Sequence, residues 1–242
     1  MNIPPIEALG EIDSTNAEAR RRAEAGEIGP VWITATRQTA GRGRRGRNWE
    51  TGGGNLAATL LTHSFKPAAE AAQISFVAAL AAADLASAYV SPSLVTLKWP
   101  NDLLVAGKKA AGILVESGPH PAGGLWLAVG FGVNLAAAPA QAERPAATFA
   151  EHMRAPPPKP LEALKVLAEA FERRRDLWER LGFAPIAEAW TAQAHGLGES
   201  CTARLPEETV VGIAEGLDED GALRLRTASG VVRRITAGDV FF

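Results

Sequence analysis

At 242 residues, with 47% hydrophobic and 21% charged side chains, the chain has ordinary globular composition and room for one large domain or a large and a small one. A formal net charge of −2 excludes a general polyanion binder, and a single cysteine, Cys201, excludes an internal disulfide framework and fits a reducing, cytoplasmic setting. The opening "MNIPPIEALGEIDSTN" lacks both halves of a secretory signal, and the apolar run 76–90 is short and broken by Asp84, so neither export nor a membrane span is expected.

The first predicted helix covers 16–25, with Thr15 and Glu18 in the spacing of a capping box and Gly26 as its stop. "VWITATRQ" is β-branched and apolar and predicts a strand; an Arg/Gly loop follows, then "NLAATLLTH" as a second strand. The alanine-rich stretch 67–90 has high helix propensity, Pro67 at its start and apolar residues all round, as a core helix would. "LVTLKWPNDLLVAGKKAAGILVE" reads as strand, Pro-Asn-Asp corner, strand, Gly107 turn, strand. "GLWLAVGFGVNL" adds a strand in which Gly130 and Gly132 admit a close approach of backbone or ligand. A proline-rich connection spans 136–160; an amphipathic helix carrying Leu164, Leu167, Phe171 and Trp178 comes next, and a short one over 184–195 after it. Beyond Gly198 the chain becomes short β runs between turn clusters, a separate small barrel of about five strands.

"TAGRGRRGRNW" carries the strongest chemical signal. Gly41 to Gly46 match G-x-G-x-x-G literally, but "RNWETGGGN" is no helix start and no acidic residue ends a second strand, so a dinucleotide fold is excluded. A single-strand nucleic-acid loop is the non-enzymatic alternative, although no second basic cluster or DNA-binding module accompanies it. A merely solvated basic loop does not account for Gly41, Gly43 and Gly46, which would let amides fold into an anion nest beside bidentate arginines. "KWPNDLLV" sets Asn101 and Asp102 on a proline-fixed corner, where a plain Asn-Asp turn is the simple alternative. Of the two lysines that follow, alternation turns Lys109 toward the sheet's cleft and Lys108 away. The four histidines have no metal-ligand spacing, so no metal site is identified; Ser14 is explained by helix capping, and no P-loop is present. Cys201 reads as a small apolar residue.

Together "STN" at Ser14, "QTAGRGRRGRNW" at Gln38, "KWPND" at Lys98, "KKAAGILVE" at Lys108 and "GVNL" at Gly132 resemble the biotin protein ligases, in the family's order over about 120 residues. The resemblance implies an α/β (α+β) fold: a mixed-sheet catalytic domain of the biotin/lipoate ligase type over 1–197, with helices on one face, and an SH3-like β-barrel over 198–242. It implies ATP, carrying Mg2+, as co-substrate, biotin as substrate and a lysine of a biotin carboxyl carrier protein as acceptor; a lipoate ligase-like enzyme is the alternative. Ser14, Thr15, Asn16 and Gln38 would hold biotin's ureido ring, with Gly41, Arg42, Gly43 and Arg44 closing over its tail. Arg44, Trp49, Asn101, Asp102 and Asn134 would face ATP or the adenylate, Lys109 would bridge the biotin carboxyl and the α-phosphate, and Arg44, Lys109 and Asp102 would act catalytically. The chain starts about a dozen residues before "STN", so the DNA-binding domain of longer family members, and with it a DNA partner, is not expected. A homodimer is left open. The family's second adenylate-side loop should fall in 136–149, which contains no tryptophan to cover the adenine.

Overall fold

The computed structural model describes residues 3–139 and 145–242. In chain order it contains β1 (Ile6–Ile12), α1 (Thr15–Glu24), β2 (Val31–Gln38), β3 (Leu56–Ser64), α2 (Ala68–Ala71), α3 (Ile74–Ser87), β4 (Val95–Lys98), β5 (Asp102–Val105), β6 (Lys108–Pro119) and β7 (Leu125–Val133). Two helices, α4 (Pro160–Leu181) and α5 (Ala184–Thr191), then lead to β8 (Ser200–Arg204), β9 (Thr209–Leu217), β10 (Leu223–Arg226), β11 (Val232–Ile235) and β12 (Asp239–Phe241). The first seven strands form one mixed sheet in the order β1-β2-β3-β7-β6-β5-β4, parallel only at β1–β2. The last five form an antiparallel sheet in the order β11-β10-β9-β8-β12.

The large sheet is covered on both faces, which corrects the expectation of helices on one face. Helices α3 and α4 lie on the face of Trp32, Leu60, Val129 and Phe131, and α5 packs on α3 and α4 in the same apolar cluster. Helix α1 lies on the opposite face, where Ala19 and Ala23 pack on Val31, Ile33, Leu61, Trp126 and Ala128. Neighbouring residues of a strand point to opposite faces, so these two residue sets alternate along β2 and β7. The apolar cluster under α3 and α4 continues into the small sheet through Cys201, Ala203, Val210, Leu225 and Val240. Trp99 completes that junction by donating its indole N–H to the Gly221 carbonyl at 3.1 Å.

Several boundaries differ from the sequence reading for local reasons. β1 was not foreseen because only every third residue is half-buried, as suits an edge strand with little packing. The cap of α1 is Ser14, whose hydroxyl accepts from the Ala17 amide, so the capping box at Thr15 and Glu18 does not form; the Glu18 carboxylate instead accepts from Arg21 and Arg22. The alanine-rich stretch is two helices, not one. At the break, Ser75 and Phe76 amides bond three residues back, and Gln73 accepts from the Trp178 indole at 3.1 Å. Residues 68–87 are long and apolar enough to cross a membrane by length and hydropathy, yet 67% of that window is buried within the protein. Asp84, the charge within it, accepts from two guanidinium nitrogens of Arg174, Nε and Nη2, each at 2.8 Å. Helix α5 stops at Thr191 because the chain turns to run beside β4, with Leu97 bonding Gln193 and His195.

Candidate active site

On the α1 face the central strands lack side chains where the site lies. One line of cross-strand partners runs Ala57, Gly132, Gly112, Asp102, Lys98 through β3, β7, β6, β5 and β4. The next runs Thr59, Gly130, Leu114. Partners opposite one another share a face, so a glycine floor is bordered by threonine on one side and by Asp102 and Lys98 on the other. A Cβ at Gly130 would sit 2.0 Å from Asn16 Oδ1, and one at Gly132 would sit 2.2 Å from the Trp49 ring. The glycines are the space that these two side chains occupy. Over them opens a cavity of about 510 Å³ lined from both sheets.

One end of the cavity is neutral and hydrogen-bonded. The α1 N-terminus presents Ser14, Thr15 and Asn16, all buried. Gln38 Oε1, at the end of β2, accepts from the Thr15 amide at 2.8 Å and its hydroxyl at 3.1 Å, and Gln38 Nε2 donates to Thr51. The Thr59 hydroxyl lies 2.8 Å from Thr15 Oγ1 and 2.7 Å from Asn16 Oδ1. Asn16 Nδ2 donates to the Leu114 carbonyl and, at 2.8 Å, to Glu116. Each rotamer is therefore fixed from two sides before any ligand arrives.

The other end is cationic. The Lys109 ammonium lies 2.6 Å from the Asp102 carboxylate and 5.5 Å from the Trp49 ring centre, within cation–π reach. Asn101 donates to the Ile113 carbonyl at 2.7 Å and accepts from Arg44 at 3.3 Å. Asn134 is buried and donates to the Ala147 carbonyl, fastening the end of β7 to the segment after residue 144.

The Arg/Gly loop crosses above. The Gly43 amide donates to the Arg47 carbonyl at 2.7 Å, so it is used within the turn and the expected nest of free amides does not form there. Arg45 takes a left-handed φ of 57° and Gly46 one of 71°, and the reversal sends successive arginines to different sides. Arg42, Arg44 and Arg47 line the cavity, and Arg45 does not. Arg45 and Arg47 both reach Asp239 of β12, at 3.0 and 2.7 Å. Arg44 also touches the Gly238 carbonyl at 3.4 Å. Burial pulls the Arg44 pKa below its ordinary value, opposed by Asp239 and Asp102; a guanidinium remains charged at neutral pH. Burial pushes the Asp239 pKa up, but the hydrogen bond from Arg47 and the charges of Arg47, Arg45 and Arg44 bring it below the usual carboxylate range.

Residues 12–134 match the family model for the biotin/lipoate A/B protein ligase family, and residues 196–242 match the biotin protein ligase C-terminal domain. A biotin–[acetyl-CoA-carboxylase] ligase of Paracoccus denitrificans is 46% identical over 239 residues, covering 97% of this chain and 99% of that protein. The chain belongs to the biotin protein ligase family. The bifunctional ligase/repressor BirA of Escherichia coli is 28% identical, covering 97% of this chain and 73% of its own length. Among solved structures, the Aquifex aeolicus biotin protein ligase in complex with biotin and ATP superposes with a TM-score of 0.81 at 26% identity, covering 98% of this chain and 97% of that one. The Leishmania major biotin protein ligase in complex with biotinyl-5-AMP gives 0.65 at 26% identity, covering 97% and 99%.

In this biotin protein ligase family member, the sequence-derived candidates Ser14, Thr15, Asn16, Gln38, Arg42, Gly43, Arg44, Trp49, Asn101, Asp102, Lys109 and Asn134 all line one cavity. Gly41 does not: a Cβ there would lie 2.4 Å from the Trp49 carbonyl, so it serves the close return of the loop. Lys108 is exposed. The question of what covers the adenine concerns 136–149, of which 140–144 lie outside the described residues; Pro139 and Ala146 reach the cavity. Sequence reasoning passed over Thr59, Glu116, Lys98 and Asp239. Alternation along β6 through Gly112, Leu114 and Glu116 carried a signal for Glu116, and the register of Lys98 with Asp102 one for Lys98. Nothing local marked Asp239.

Proposed function

We propose that the chain is an ATP-dependent biotin protein ligase that makes biotinyl-5′-AMP and passes biotin to a lysine of a biotin carboxyl carrier protein. The observation that carries the reading is the polarity of a single cavity, neutral hydrogen bonds at Thr15, Asn16 and Gln38 and cations at Lys109 and Arg44. A ureido ring offers neutral donors and an acceptor to the first end. Its carboxylate tail then points to the second, where the triphosphate must also bind.

In the first step a biotin carboxylate oxygen attacks the α-phosphorus, the bond to the β-phosphate bridging oxygen breaks and pyrophosphate leaves. Two anions meet, so positioned positive charge supplies much of the rate. Lys109, with Trp49 fixing its position, takes that role together with Arg44. In the second step the acceptor amine attacks the acyl carbon, the acyl–phosphate C–O bond breaks, AMP leaves and the amine gives up a proton. Mg2+ enters with ATP, and the hard oxygen donors Asp102 and Asn101 beside Lys109 suit it. Residues 1–197 would then hold both substrates and residues 198–242 would form a cap beside them. The proposal includes no DNA partner, and its oligomeric state is one light-scattering measurement away.

The test is pyrophosphate exchange into ATP with biotin and with lipoate side by side. Exchange with biotin alone supports the reading; exchange with lipoate alone replaces it, and exchange with neither, accompanied by a salt-dependent gel shift, favours the nucleic-acid alternative.

A further inference from the structure

The Arg/Gly loop turns its arginines to the cavity and to the small sheet, and Arg47 serves both. Arg45 and Arg47 are drawn out of the loop's own neighbourhood to one carboxylate almost two hundred residues away, each oxygen of Asp239 taking one guanidinium. Arg47 also donates back to the Arg44 carbonyl at 3.4 Å, and Arg44 itself contacts the Gly238 carbonyl next to Asp239. Three arginines of the loop, Arg44, Arg45 and Arg47, therefore close on two consecutive residues of the C-terminal segment. That segment is itself fixed: Asp239 pairs with Arg204 in the β12–β8 register, and a Cβ at Gly238 would meet the Arg204 carbonyl at 2.9 Å.

We propose that Asp239 is a positioning residue for the ligase reaction: it gathers Arg45 and Arg47 so that Arg42 and Arg44 are held over the cavity, making the C-terminal sheet a working part of the active-site lid. The inference rests on the ligase reading above. A rival role, in which Asp239 is a stand-in anion that ATP must displace, fits less well. Arg47 and Asp239 themselves border the cavity, but Asp239 also holds Arg45, which does not, and its β12–β8 pairing ties it to the small sheet, so the ion pairs restrain the loop. Four mobile like charges within six residues would repel one another and stay spread; one shared carboxylate removes that repulsion between two of them.

Asp239→Asn keeps the shape and removes the charge. In the ligand-free protein it should speed tryptic cleavage within residues 42–47 about tenfold, the size expected from losing two part-exposed ion pairs. In the enzyme it should raise the ATP KM and the release rate of biotinyl-AMP by a similar factor, while the biotin KM changes little. Asp239→Glu should return all three to within about threefold of wild type. Arg47→Gln, which removes one of the two ion pairs, should give part of the Asn variant's effect, and the double variant should be no worse than Asp239→Asn alone, because the Asp239→Asn change already removes that pair. Wild-type cleavage and adenylate retention in folded Asp239→Asn would overturn the proposal, as would additive effects in the double variant. A lower ATP KM in Asp239→Asn would overturn it in favour of the displaced-anion role. The cleavage measurement needs no activity, so a failure of the ligase reading leaves it interpretable.

Discussion

Gly132→Ala tests the site's geometry with a single methyl group. The backbone at 132 is an ordinary strand that alanine adopts freely, so the whole effect comes from space. The new Cβ would lie 2.2 Å from Trp49 Cε2 and 2.3 Å from its Nε1, whereas carbon atoms in contact sit about 3.5–4.0 Å apart. The ring must therefore retreat by more than about 1 Å, and since it lines the cavity beside Lys109 the move disturbs the surface under that ammonium. Overpacking costs about 1–3 kcal/mol, and with Trp49 only part-buried the lower end applies. For a chain of this length that is a drop in Tm of about 2–4 °C. Catalysis should suffer far more, because a misplacement of about 1 Å in positioned groups can cost about a hundredfold in rate. Biotin-dependent pyrophosphate exchange beside a thermal melt reads both quantities. A folded variant exchanging within threefold of wild type would refute the assignment of Trp49 as the support on which Lys109 is positioned.

The neighbouring Gly130→Ala puts its Cβ 2.0 Å from Asn16 Oδ1 and should raise the KM for biotin while leaving that for ATP near wild type; equal effects on both would contradict the two-ended cavity. Lys109→Ala should lower adenylation by about 10²-fold or more with a melt close to wild type, since the side chain is part-exposed; full activity would remove Lys109 from the mechanism. Hydrogen bonding from Arg21 holds the Asp13 pKa down at about 2, and hydrogen bonding from Arg22, aided by Arg21, lowers that of Glu18. Depressed carboxylate pKa values give stability that is present above about pH 4 and lost as the pH falls toward 2. Arg21→Gln should therefore be less stable than wild type at pH 7, with the gap closing toward pH 3 in denaturant titrations. A gap of the same size at both pH values would count against the assignment.

The strands of the large sheet from β2 to β7 were legible from β-branched runs and turn residues, because both signals are local. So were the candidate residues, which sit in short motifs at strand ends. What was not legible depended on partners distant in the chain. Helix α1 gives the same amphipathic signal whichever face of the sheet it covers; Ala19 and Ala23 pack on the site face because Trp126 and Ala128 point there. The roles of Arg45 and Arg47 could not be separated from those of Arg42 and Arg44 in a run of arginine and glycine, since the distinction lies in the left-handed turn at Arg45 and in Asp239. Gly130 and Gly132 were read as points of close approach; which side chains approach, Asn16 and Trp49, follows only from the register.

The bonded group of Thr15, Asn16, Gln38 and Thr59 carries a consequence for substrate choice. Its amides and hydroxyls are aimed before binding, so little remains to be reorganised when a ring with matching N–H and C=O groups enters. A dithiolane ring of similar bulk offers sulfur in their place, and it would strip water from those polar atoms without replacing the lost bonds. Sites of this kind reject an analogue that lacks the hydrogen-bonding group by about 10⁴–10⁵, far beyond what shape alone achieves. In a family whose model spans both biotin and lipoate, the filter between the two would then be four neutral side chains gathered from one helix start and two strands.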